Sequence, residues 1–138
     1  MTTDYLLDAC AIIACLNDEI GADIVERLLE QALDGNVSLY MCHVNLLEVY
    51  YGMLRDFGFD KAEEILAQLL SLPINMISDT NMDVLREAGR LKVGYSMSLA
   101  DSLALGVASV FEYNVVTADH HELDAVDNSE EIGFYWIR

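Results

Sequence analysis

The feature that most constrains this chain is an alternation of two hydrophobic periods. Tyr5-Leu6-Leu7-Asp8, Val37 to Met41, Ile74 to Ile77, Val115 to Thr117 and Gly133 to Ile137 are short runs of strand length. Between them lie segments whose apolar residues recur at helical spacing. Short buried strands alternating with helices predict a parallel α/β sheet covered on both faces. Helices are expected over Ala9–Leu16, Asn45–Phe57 and Ser98–Val110, and from Asp119 to Ala125. A further helix carries Ile20, Ile24, Leu28 and Ala32 inward. Asp60-x-x-Glu63 and Thr80-x-x-Asp83 resemble capping boxes that open two more, the second of which turns Val84, Leu85, Ala88 and Leu91 inward. The two helices between the second and third strands form a large crossover. No repeat, linker or low-complexity segment interrupts the pattern, so residues 1–138 read as one domain.

Composition narrows the class. A hydrophobic fraction of 54% excludes a disordered chain. No apolar run nears the ~18 residues of a membrane span, and the first residues lack the basic region of a secretory signal. Cys10, Cys15 and Cys42 are odd in number and form no CxxC, which argues against a disulfide scaffold or a zinc ribbon and fits a reducing cytoplasm. Cys10 and Cys15 read as small core residues. The net charge is −17, from 24 acidic and 7 basic residues. Such a balance lacks the basic footprint of most nucleic-acid binders and favours cations or basic proteins as partners, unless it serves only solubility.

Four carboxylates share one kind of position. Asp8 closes the first strand, Glu48 lies in the first turn of the helix after the second, and Asp119 follows the fourth. Asp101 lies in the first turn of the helix before the fourth strand. In a parallel sheet the strand C-termini and the following helix N-termini meet at one edge, where ligands bind. Each residue alone is also a good helix cap: Asp8 and Asp119 suit N-caps, and Asn45-x-x-Glu48 and Ser98-x-x-Asp101 resemble capping boxes. Convergence points to a site. Glu48 sits on a polar stripe with Asn45, Gly52 and Arg55, and Asp101 is the one charge between Lys92 and Glu112. Carboxylates ~5 Å apart repel by roughly 3 kcal/mol per pair, and a divalent ion with a taste for hard oxygen ligands relieves this.

The residues also carry a family resemblance. Leu6-Leu7-Asp8-Ala9-Cys10-Ala11-Ile12-Ile13-Ala14 resembles the opening motif of PIN domains. Asn45 to Gly52, Ser98 to Leu105 and Val115 to Asp119 resemble their second, third and fourth acidic motifs, in order and over nearly the whole chain. In size the chain is similar to the single-domain VapC-type toxins of toxin–antitoxin pairs. The resemblance implies a three-layer α/β fold with a central, mostly parallel sheet. It implies a cytoplasmic endoribonuclease dependent on Mg²⁺ (or Mn²⁺), dimeric in many members and inhibited by a cognate antitoxin. Asp8, Asp101 and Asp119 would hold the metal, with Glu48 acting through water or a second ion. Arg86, Arg90, Lys92 and Thr117 are candidates for contacting RNA, with Thr117 also placed to hydrogen-bond the acids or to serve as an ordinary strand residue. The alternative is a catalytically inactive PIN-like module that binds protein.

Two departures stand out: the charge of −17, and His120-His121-Glu122-Leu123-Asp124 where the family more often has an aromatic. Glu122 and Asp124 read as surface charge or an added metal contact, and the histidines as loop residues. A receiver-type phosphoacceptor would want paired acids at the first strand and a late lysine, yet no Lys follows Lys92. A haloacid-dehalogenase-type phosphatase would want an Asp where Cys10 stands.

Overall fold

The computed structural model describes residues 2–138. Its elements run β1 (Thr3–Leu7), α1 (Ala9–Leu16), α2 (Ala22–Leu33), β2 (Val37–Cys42), α3 (His43–Phe57) and α4 (Phe59–Ser71). They continue with β3 (Ile74–Ile77), α5 (Met82–Gly94), α6 (Leu99–Phe111), β4 (Asn114–Thr117), α7 (His120–Ser129) and β5 (Phe134–Trp136). The five strands form one sheet in the order β3-β2-β1-β4-β5, and every pairing is parallel. This is the three-layer α/β architecture that the alternating periods imply, and its order reverses between β1 and β4.

The two faces carry separate cores. Leu7, Ile12, Val25, Leu39, Met41, Val49 and Leu69 pack with α1 to α4 on one side. Leu6, Leu91, Leu105, Val115, Leu123 and Val126 pack with α5 to α7 on the other. Leu6 and Leu7, neighbours in β1, split between the two faces as a strand's alternation requires. The small residues of α6 let α5 lie close: a Cβ on Gly106 would come 2.9 Å from the Val84 carbonyl oxygen and 3.1 Å from the Ala88 Cβ.

Several element boundaries differ from the sequence reading. The second helix begins at Ala22, behind Gly21, so its buried stripe is Ala22, Val25 and Leu28, while Ile20 is exposed. Gly21 is needed there because a Cβ would meet the Ile137 carbonyl oxygen at 2.7 Å. Helix α3 starts at His43, two residues early, so Asn45 lies inside it and caps nothing. Helix α4 starts at Phe59 behind Gly58, and Asp60 is therefore not its cap. The cap of α5 is Asn81, whose side chain accepts from the Val84 amide at 2.8 Å, rather than Thr80. Leu85 points outward. Helix α7 runs on to Ser129 because Asp119 caps it and Leu123 and Val126 bury its inner face. Cys10 and Cys15 are half-buried rather than core, and only Cys42 is buried. Among the described residues no helix is long and apolar enough to cross a membrane.

Candidate metal centre

All five strands point their C-termini to one edge, and the carboxylates gather there. Asp8 follows β1 and caps α1, accepting the Ala11 amide at 2.8 Å. Asp119 follows β4 and caps α7, accepting the Glu122 amide at 3.2 Å. Ser98 caps α6 and accepts the Asp101 amide at 3.1 Å, which fixes Asp101 in the first turn. Glu48 faces the same space one turn into α3, held by Asn45, whose Nδ2 donates to Glu48 Oε1 at 3.2 Å. The capping and clustering roles are thus not alternatives: the caps position the acids.

These side chains line one cavity of about 340 Å³, together with Ala9, Cys10, Ile13, Glu19, Ser98 and Glu122. Within it, one carboxylate oxygen from each of Asp101, Asp119 and Glu122 lies within 4.8 Å of the others. Of the two residues that the sequence offers as surface charge or an added metal contact, Glu122 is the one brought into the group. Its signal is its i+3 spacing from Asp119, which puts both acids on one end of α7. Asp124, by contrast, is exposed and pairs with His120.

The electrostatics are those of anions crowded without a counterion. Asp8 is 4% exposed, and burial pushes its carboxyl up to about 6. Hydrogen bonds from the Thr117 side chain and the Ala11 amide oppose the shift, while the Asp119 and Glu48 charges add to it. Burial also raises Asp101, reinforced by its hydrogen bond to Glu122 and by the Glu122 and Asp8 charges. Glu122 moves down, because Asp101 donates to it and the Ser98 amide, His121 and Lys92 lie beside it. Burial raises Glu48 as well, partly offset by Asn45. Asn45 is fully buried and its Oδ1 finds no partner among the described residues.

The remaining candidates separate. Thr117 is fully buried beneath the acids and accepts the Asp119 amide at 3.0 Å, so it braces the cluster and is out of reach of RNA. Arg90 is bound to Glu87 and Glu130 and lines a different cavity, of about 630 Å³, with Asn114 and Gly133. Asn114 opens β4 whereas Thr117 ends it, so that cavity lies at the opposite sheet edge, ~10 Å away along the strand. Arg86 is exposed and pairs with Asp83 on its own helix. Of the three basic candidates only Lys92 belongs to the acidic edge. Its Nζ donates to the Met97 carbonyl at 2.6 Å, and its charge acts on Glu122.

A three-layer fold with an all-parallel sheet and Asp8, Glu48, Asp101, Asp119 and Glu122 gathered at its C-terminal edge defines a class of acid-site α/β domains. Within that class the chain belongs to the PIN domain family, whose model matches residues 5–128. A search of curated protein sequences returns no match. Solved structures with the same fold include a DNA-bound VapBC from Salmonella typhimurium, 17% identical, with a TM-score of 0.75 over 100% of both chains. VapBC-1 from nontypeable Haemophilus influenzae is 18% identical, with a TM-score of 0.73 over 98% of each chain. Mycobacterium tuberculosis VapC20, described as a sarcin–ricin-loop-cleaving toxin, is 16% identical, with a TM-score of 0.64 over 88% of this chain and 94% of that one.

Proposed function

We propose that the protein is a metal-dependent endoribonuclease and the toxin of a toxin–antitoxin pair. The observation that carries this is the cavity of oxygen donors at the C-terminal sheet edge, with Asp101, Asp119 and Glu122 mutually within 4.8 Å and Asp8 buried beside them. The donor set fits Mg²⁺ or Mn²⁺: it is built from hard carboxylate oxygens, and histidine imidazoles line none of it. Asp8, Asp101 and Asp119 would hold the ion, Glu122 joins them as a further candidate ligand, and Glu48 approaches from α3. A bound ion supplies Lewis-acid stabilisation of phosphoryl oxygens and a more acidic attacking water. The protein's own groups do the rest. The caps on α1, α6 and α7 fix three carboxylates to rigid helix ends, and Asn45 orients Glu48 as a base for the attacking water. Thr117 holds the Asp8 and Asp119 segments in register beneath them.

The partner reading rests on the fold shared with VapBC complexes and on the charge of −17. A basic antitoxin segment would meet the acidic edge, where a guanidinium pairs with carboxylates in two-point contacts. The test of the activity is cleavage of total RNA with Mg²⁺ or Mn²⁺, with EDTA, and by Asp101→Asn and Asp119→Asn. Cleavage that needs the metal and both acids supports the reading. Folded, metal-saturated protein that cleaves no RNA leaves the inactive protein-binding module instead.

A further inference from the structure

We propose that Arg138 and Lys92 are the two cations that hold the RNA backbone across the carboxylate cavity, an assignment that rests on the ribonuclease reading above. The chain has 7 basic residues, so each one's placement is informative. Five of them are spent away from the acidic edge. Arg27 pairs with Asp23, Arg55 with Asp56, Lys61 with Glu64 and Arg86 with Asp83, each on its own helix. Arg90 is held between Glu87 and Glu130 at the opposite end of the sheet. Arg138 and Lys92 remain, and each is bonded beside the cavity: Arg138 to Glu19, which lines it, and Lys92 to Met97, the neighbour of the lining residue Ser98.

They reach it from the two faces of the sheet. Arg138 follows β5 at the C-terminal edge and lies over the α1–α2 face: its Nη1 donates to Glu19 Oε1 at 3.1 Å and to the Ile20 carbonyl at 3.0 Å. Glu19 is itself a wall of the cavity, and the Arg138 charge is felt at Cys10, another lining residue. Lys92 lies in the last turn of α5 on the other face, tied to Met97 and acting on Glu122.

Arg138 is also preorganised. The Ile137 amide donates to the Thr117 carbonyl at 3.1 Å, and Ile137 packs against Gly21 too closely for any Cβ there. His120 Nε2 donates to the Arg138 carbonyl at 2.7 Å, while Nδ1 faces Asp124 at 2.7 Å. These contacts tie the Arg138 backbone to the start of α7, one residue from Asp119. The guanidinium's two hydrogen bonds use Nη1 alone, and among the described residues Nε and Nη2 make none. A fixed arginine with spare donors beside an anionic cavity suits phosphate. A second cation beyond Ser98, on the other side of the acids, gives the RNA a direction across them.

The experiment compares wild type, the double variant Arg138→Gln/Lys92→Gln and the charge-matched control Arg27→Gln/Lys61→Gln. Binding of a short labelled single-stranded RNA is measured with Ca²⁺ in place of Mg²⁺ over a salt series. Steady-state cleavage is measured with Mg²⁺. The double variant is expected to bind roughly tenfold more weakly and to lose about 1.4 from its log–log salt slope, ~0.7 per phosphate contact on a single strand. KM should rise with kcat little changed, and Arg138→Lys/Lys92→Arg should restore most of the affinity. Glu19→Gln, which releases Arg138 from its ion pair, should bind RNA more tightly than wild type. Wild-type slope and affinity in the double variant, or an equal loss in the control, overturns the assignment while leaving the ribonuclease reading intact. Wild type that neither binds nor cleaves RNA removes both.

Discussion

Neutralising Asp8 should make the metal-free protein more stable, not less. Its carboxylate is 4% exposed and faces other acids, and its carboxyl is raised from 3.8 to about 6. Between those values the folded state binds a proton that the unfolded chain has released, so stability falls as pH rises through the interval and stays lower above it. At 1.36 kcal/mol per pKa unit, the interval is worth about 3 kcal/mol. Asp8→Asn keeps an oxygen to accept the Ala11 amide, which preserves the cap. Denaturant unfolding in EDTA should therefore show Asp8→Asn more stable than wild type by up to about 3 kcal/mol at pH 7.5, or about 10 °C in Tm for a domain of this size. The gap should close as the pH approaches 4. Glu87 and Glu130, whose carboxyls are lowered by Arg90, titrate with the opposite sign below their ordinary range, but they are common to both proteins. A variant that is less stable at every pH, or a gap independent of pH, would refute the reasoning.

The other predictions concern the same edge and its support. Saturating Mg²⁺ or Mn²⁺ should raise the wild-type melting temperature, since a ligand at 100 times its Kd adds ~2.7 kcal/mol, and Asp101→Asn should lose most of that shift in scanning calorimetry. Thr117→Val removes a buried hydroxyl that braces Asp8 and Asp119, so it should cost roughly 1–3 kcal/mol in unfolding experiments and weaken calorimetrically measured metal binding. Gly106→Val drives a side chain into the Val84 carbonyl and Ala88, and should destabilise by about 1–3 kcal/mol or more through separation of α5 from α6. Binding of a basic antitoxin should weaken when Glu48 and Asp119 are neutralised together, and should weaken with salt, because screening shortens the reach of exposed charge.

The layered fold was legible because each strand and each helix announces its own period. The all-parallel pairing follows from the crossover helices between them. The site was legible to the extent that chain order decides it: Asp8, Glu48 and Asp119 follow strand ends directly. Asp101 depended on where α6 packs, which chain order alone does not decide; packed against α5, the helix brings Asp101 to the cavity. What the sequence hid were pairings between distant segments. Nothing local says that Arg90 reaches Glu130 or that Arg138 returns to Glu19, and only the i+3 spacing from Asp119 separates Glu122 from Asp124. The helix starts missed at His43 and Phe59 share a cause: neither has a side-chain cap, so a polar residue further in, Asn45 or Asp60, imitated one.

In the function proposed above, the carboxylates at the C-terminal sheet edge form one metal site. Anomalous diffraction at the manganese edge, from crystals equilibrated with Mn²⁺, tests it most directly. A peak is expected within bonding distance of Asp101 and Asp119 oxygens, with Asp8 or Glu122 completing the protein ligands, and should be lost in Asp101→Asn. No peak there at saturating Mn²⁺, or ordered metal only at the Glu87–Glu130 cavity, would contradict it.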